Sequence, residues 1–400
     1  MNARSLCVLA CITASARAGA QQPPRVRPLG PIVAQTTEPM DRISGLHALS
    51  DGRVIVNDGL GRRVLLFDST LTHFTILLDT TGATARQYPG GHSFPGTIIP
   101  FIGDSTVFYD PVAIALVVLD PAGRVSRVFA PPFPPDAGYL IFAGARFDPA
   151  QRLLYRASIS PRNRPSGIGY SPINGDSAPI VRAASGTSAP DTLAYVKMPK
   201  FPPSELYTTK EGANVHRSVI DPFTLLDEWT ILADGTVAII RGQDYHIDWV
   251  SPDGLRTSSP KLPFQWHRLS DSEKVVIIDS VTQYAEAHPG RYSASSNGVS
   301  VSGVMPAGVI PVTDLADYRP PFARGAMLAD ADGNVWLLPT PETPLSPNPG
   351  PVYDVVNRAG QLVDRVQLSP GFGIIGFAPG YVFMTIREGT TTVVAKARIH

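Results

Sequence analysis

The side chains of this chain that could do chemistry stand in short loops between apolar runs. Asp58 lies in Asn57-Asp58-Gly59, Asp110 in Tyr109-Asp110-Pro111, and Arg241 and Asp244 flank Gly242-Gln243. Arg42 follows Asp41, His216 precedes Arg217, and Arg324 precedes Gly325. His92 sits in Gly90-Gly91-His92-Ser93-Phe94-Pro95-Gly96. Its flanking glycines would let a ligand approach the backbone, and an imidazole serves as base or metal ligand. Carboxylates and imidazoles gathered at one place could hold a divalent cation (Ca²⁺, Mg²⁺, Mn²⁺ or Zn²⁺) that polarises a carbonyl or activates water. The arginines suit a carboxylate or phosphate through paired hydrogen bonds. Each type also has a plainer use, since Asp closes turns through local hydrogen bonds and Arg pairs with surface carboxylates. His47, inside an apolar run, is expected to be a core or channel histidine.

Several reactions are excluded by what the sequence omits. There is no His-Glu-x-x-His, no phosphate-binding Gly-x-x-x-x-Gly-Lys-Ser/Thr and no Gly-x-Ser-x-Gly. One Gly-x-Gly-x-x-Gly occurs, at Gly371, Gly373 and Gly376. A dinucleotide site needs a helix next, to carry the pyrophosphate on its N-terminus. Here Phe377-Ala378-Pro379-Gly380 reads as a turn and Tyr381-Val382-Phe383-Met384 as a strand, so the glycines are expected to be structural.

The elements that must position these residues are strands. With 43% hydrophobic residues in 400 the chain has enough apolar material for a large core, and 40 prolines argue against a mainly helical protein. Its 34 basic residues balance 34 acidic ones, which removes the footprint of a nucleic-acid or polybasic membrane binder. The recurring unit is an apolar run, an Asp-Gly turn and a second apolar run. It appears around Asp51-Gly52, Asp234-Gly235 and Asp332-Gly333, with weaker copies at Gly103-Asp104, Asp148-Pro149 and Pro379-Gly380. Asp-Gly accepts the positive φ that a two-residue hairpin turn needs, and each hairpin is followed by a second one, as at Ala122-Gly123, Asp253-Gly254 and Ala359-Gly360. Two hairpins make a four-stranded propeller blade, and there are six such units.

The turn-to-turn spacings from 149 to 234 and from 234 to 332 are about twice the others and must hold insertions, placed at about 161–217 and 266–321. Either surplus is long enough for a seventh blade. The first, rich in Pro, Ser and Gly over 161–190 and 199–217, reads as loop. The second contains the capping box Ser270-Asp271-Ser272-Glu273, then Ile277, Val281, Tyr284 and Ala285 on one helical face, and stops at Pro289-Gly290. A short helix is therefore expected near 270–288. The final unit has only three strands, so residues 26–35 are expected to supply its fourth and close the ring. The fold expected is an all-β six-bladed propeller, one domain over 21–400, with a β-sandwich as the alternative.

Residues 1–20 read as a signal peptide. Arg4 precedes the apolar run from Leu6 to Ile12, and Ala18-Gly19-Ala20 has a small-x-small cleavage pattern. The alternative is a lipoprotein through Cys11. Both cysteines, Cys7 and Cys11, lie in this segment, so the mature chain would hold no disulfide or thiolate metal site. No later run of 18 apolar residues suggests a membrane span.

Residues 46–68, with Val56-Asn57-Asp58 and Arg63-Val64-Leu65-Leu66-Phe67-Asp68, resemble an NHL-type repeat of six-bladed propellers. The wider group it resembles includes metal-dependent lactonases of the senescence-marker/gluconolactonase type, lyases and plain binding scaffolds. The lactonase resemblance implies an ion held by a Glu near the first blade, two Asn and an Asp. Here Glu38 is the Glu available, and no pair of Asn follows at matching blade positions. The function expected is an exported, monomeric binding module for a small molecule or protein at one mouth of the channel, formed by Arg42, Asp58, His92, Asp110, His216, Arg241, Asp244 and Arg324. The alternatives are a metal-dependent, lactonase-like hydrolase or lyase at that mouth and a surface protein that presents its loops to a macromolecule.

Overall fold

The computed structural model describes residues 23–81, 87–88, 95–132, 144–157, 177–184, 190–198, 205–209, 212, 214–296, 299–341 and 350–399. The segment read as a signal peptide and His92 lie outside them.

Six antiparallel sheets succeed one another along the chain, each a meander whose first strand is innermost. Blade one begins with Ile43–Ala48, blade two with Thr97–Pro100, blade three with Arg146–Phe147, blade four with Glu228–Ile231, blade five with Phe322–Ala329 and blade six with Phe372–Ala378. The second strands Val54–Asp58 and Thr106–Asp110 are buried at every position, because a mid-blade strand is covered by a neighbouring blade on both faces. Ile43–Ala48 and Phe372–Ala378 are half-buried throughout, as strands lining a channel should be.

Six apolar cores lie between adjacent blades. One joins Val54, Leu65 and Phe67 of blade one to Phe383 and Val394 of blade six, which closes the ring. The others follow in order, from Leu66 with Phe108 between blades one and two to Trp336 with Val382 between five and six. The chain is a six-bladed β-propeller.

Closure uses the N-terminal segment in two pieces. Ile32–Gln35 pairs antiparallel with Thr391–Arg398 and completes blade six. Val26–Pro28, expected in the same strand, instead runs parallel to Leu362–Gln367 as a fifth strand of blade five. Pro28 and Pro31 bracket the step between the two blades, and the Leu29 N–H still donates to the Gln367 carbonyl at 2.9 Å.

The Asp-Gly hairpins have three-residue loops rather than two. In the first, the Gly52 N–H donates to Leu49 and the Leu49 N–H to Arg53, with Gly52 at φ 88°. Gly235 at 86° and Gly333 at 83° repeat the arrangement, a turn whose last residue needs the left-handed region. Where loop was expected, Ser177–Ala183 is the third strand of blade three and Glu205–Thr208 pairs with Asn214–Arg217; Asp191–Lys197, between the two expected loops, is the fourth strand of blade three. The prolines mask a pattern in which Ala178 and Ile180 are buried against blade four and Val181 and Ala183 against blade two.

The two insertions join into a cap over blade four, the first running past the expected residue 217 to the start of blade four at Glu228. Val219–Ile220 of the first pairs in parallel with Gly308–Val309 of the second. Helix α1, Asp271–Ala287, begins at the Ser270 capping box as expected. Its buried face is Lys274, Ile278 and Ala285, while Tyr284, expected inside, is exposed. Lys274 reaches the Asp317 carboxylate at 2.6 Å and the Leu315 carbonyl at 3.1 Å, so its charge is met under the cap. Leu269, Ile278 and Leu315 form a separate small core with Phe223, Val309 and Ile310 around it.

Candidate functional site

In every blade the loop between the second and third strands and the segment leading into the first open at the same end of the channel. Asp58, Asp110, Arg241, Asp244, Arg42 and Arg324 therefore share one end of the propeller. Their side chains divide into two groups: most are engaged by the fold, and a few are not.

Asp58 is fully buried and accepts backbone N–H bonds from Arg42 at 3.1 Å and Gly61 at 3.1 Å, and an ion pair from Arg63 at 3.1 Å. Arg63 also holds Glu38 at 2.5 Å, so the one Glu available to a lactonase-like ion is spent on a guanidinium. Asp110 accepts from the Val112 and Ala113 amides at 3.0 and 2.9 Å. Both aspartates begin turns in which Arg62 and Ile114 adopt positive φ, and they satisfy the amides that those turns expose. Arg241 bridges Asp227 and Asp248 at 2.7 Å each, and Asp244 meets Lys261 at 2.9 Å. His216 is exposed on the two-stranded sheet of Glu205–Thr208 and Asn214–Arg217, outside the blades. Among the described residues no three His, Cys, Asp or Glu side chains come together to hold a metal ion. Among the described residues, which do not include His92, the donors do not fit the divalent cation that the lactonase resemblance implies.

Arg324 differs. It is exposed in the first strand of blade five, where the register slips between Phe322 and Met327 and Gly325 takes φ 79°. Among the described residues it has no ion-pair partner within salt-bridge distance. Next to it, at the start of the first strand of blade four, stands Glu228. Burial pushes the Glu228 carboxyl above the usual carboxylate range, opposed by an N–H from Gly325 and by the charges of Arg324 and Arg156. Arg156 ends the second strand of blade three, with Nη1 2.7 Å from the Met198 sulfur. Three consecutive blades thus place two guanidiniums and one half-buried carboxyl at this mouth.

Glu228 and Arg156 escaped the sequence reading. Glu228 occupies in blade four the place that Arg42 and Arg324 hold ahead of or within the first strands of blades one and five, so the rule that selected those two also points to it. Arg156 ends the second strand of blade three as Asp58, Asp110 and Arg241 end theirs, but the weak Asp148-Pro149 copy of the repeat did not mark that strand.

The other half of the channel holds His47, whose Nδ1 lies 2.8 Å from the Thr106 hydroxyl. Burial lowers its pKa to about 4, with Asp104 opposing and Arg146 assisting. Arg146, itself largely buried, reaches the Ile231 carbonyl at 3.4 Å. His47 is a channel histidine, as its place in an apolar run suggests.

No family model and no curated protein sequence matches the chain. Solved structures similar to it include a streptogramin B lyase, 13% identical over 91% of this chain and 96% of that one, with a TM-score of 0.38. Regucalcin from Agrobacterium tumefaciens, a calcium-binding protein, is 12% identical over 94% and 98%, with a TM-score of 0.38. A gluconolactonase from Xanthomonas campestris is 13% identical over 93% and 99%, at 0.36. They fall in the group that the blade-one repeat resembles, and at this similarity they carry no argument about activity. Among the described residues, no helix is long and apolar enough to cross a membrane.

Proposed function

We propose that this propeller is a binding module that takes a small organic anion at the mouth formed by blades three, four and five. The observation that carries the reading is Arg324, an exposed inner-strand guanidinium without an ion-pair partner among the described residues, beside the half-buried Glu228. A guanidinium offers a planar fork matched to carboxylate or phosphate. Glu228 would accept from a hydroxyl or N–H of the same ligand, or donate to it when protonated. The other elements of the mouth, Asp58, Asp110 and Arg241, keep the loops in place rather than face a ligand. The metal-dependent hydrolase or lyase reading receives no support from the donor set among the described residues. Export and a monomeric state remain part of the proposal on sequence grounds.

Thermal unfolding with citrate, inorganic phosphate or glucose tests it. A ligand at a hundred times its dissociation constant stabilises by about 2.7 kcal/mol, a rise of a few degrees in a chain this long. Saturable stabilisation by an anion and none by glucose is expected. Equal shifts with all three, or none with any, would count against the reading.

A further inference from the structure

The cap leaves a cleft of about 480 Å³ between itself and blade four. That size suits a small organic molecule. Its walls are Phe223 and Leu225 from the first insertion and Trp266 and residues 316–320 from the second, over the blade-four turn at Gly242-Gln243. The turn comes close to the wall: a Cβ at Gly242 would stand 2.2 Å from the Leu226 carbonyl oxygen. Trp266 and Tyr318 are 44% and 46% exposed, a large aromatic surface left uncovered at a concave place.

Charge in the cleft is one-sided. Asp317, the one carboxylate in its lining, is already met by Lys274 at 2.6 Å and Arg268 at 3.5 Å. Arg319 has no such partner. Its guanidinium lies over the Phe223 ring at 5.8 Å, its Nε is buried without an acceptor, and it makes no ion pair among the described residues. A planar cation whose buried Nε lacks an acceptor among the described residues, set among three aromatic rings, is complementary to a flat apolar body with one anionic group.

We infer that this cleft is a second binding site, separate from the channel mouth, for a small aromatic carboxylate. The ring enters among Phe223, Trp266 and Tyr318, and the carboxylate accepts hydrogen bonds from Arg319. The inference stands without the mouth reading, because no residue is shared between the two sites.

The test is calorimetric titration of the full chain with 2-naphthoate, repeated with neutral 2-naphthamide. Saturable binding of the carboxylate is expected, at least tenfold weaker for the amide and at least tenfold weaker in Arg319→Gln. Trp266→Ala, a change at an exposed side chain, weakens both probes. Absence of saturable naphthoate binding would overturn the inference. So would binding that survives both Arg319→Gln and Trp266→Ala.

Discussion

His47 makes the stability of this propeller depend on pH in a way that one substitution isolates. Burial in the channel lowers its pKa from 6.5 to about 4, and Thr106 bonds its neutral ring. A histidine whose pKa is depressed by folding is neutral in the native state while the unfolded chain takes up a proton. Its penalty is therefore absent above pH 6.5, grows as the pH falls, and levels off below about pH 4. A shift of that size corresponds to roughly 3 kcal/mol in full, and about 2 kcal/mol of it develops between pH 7 and pH 5. His47→Gln keeps a group able to bond the Thr106 hydroxyl and removes the titration. Urea midpoints for the two proteins at pH 7 and pH 5 should therefore diverge. The wild type loses about 2 kcal/mol more than the variant, since every other titrating group is common to both. Parallel losses would show that the ring is hydrated or protonated in the native channel, and the argument from burial would fail.

Other expectations follow from single contacts. Asp330 caps the blade-five turn and accepts the buried Trp336 indole N–H at 3.0 Å, so Asp330→Ala should cost about 2–3 kcal/mol, read from a urea midpoint. Gly350, at φ 94° and with a Cβ position 2.0 Å from the Leu368 carbonyl oxygen, tolerates no side chain. Gly350→Ala should lower the melting temperature by several degrees at least. Deleting residues 23–35 removes both closing strands and bares the edge at Thr391–Arg398, so the truncated chain should self-associate on a sizing column where the full chain does not. Glu228→Gln removes a carboxyl whose charged form burial disfavours, and should raise the melting temperature at neutral pH while weakening anything that uses the mouth.

Much of this fold was legible because a propeller blade is a local structure with a repeated sequence. All six first-hairpin turns, the N-terminal strand of blade six and the capped helix follow from apolar runs, Asp-Gly pairs and Ser270-x-x-Glu273. What escaped was non-local. The parallel addition of Val26–Pro28 to blade five depends on where Leu362–Gln367 lies in space, and the pairing of the two insertions joins residues 219–220 to 308–309. Strand Ser177–Ala183 was hidden by its Pro-rich surroundings, although every second residue or so is buried.

The candidate site was legible only as a location. Loop position groups Arg42, Asp58, Asp110, Arg241, Asp244 and Arg324 at one end, but residue type could not separate a turn-closing aspartate from a ligand-facing one. That distinction depends on partners, such as the Gly61 and Ala113 amides, whose approach the turns decide. The Arg319 cleft had no signal at all, because its walls come from segments about 100 residues apart in the chain.

The measurement that bears most directly on the account is the dissociation constant of citrate for the wild type against Arg324→Gln, by calorimetry at fixed ionic strength. A charge-assisted hydrogen bond is worth about 1.5–3 kcal/mol, so the variant should bind on the order of ten- to a hundredfold more weakly with an unchanged melting temperature. Equal affinities in the two proteins, or no saturable binding by the wild type, would contradict the claim that this mouth is a site for an organic anion.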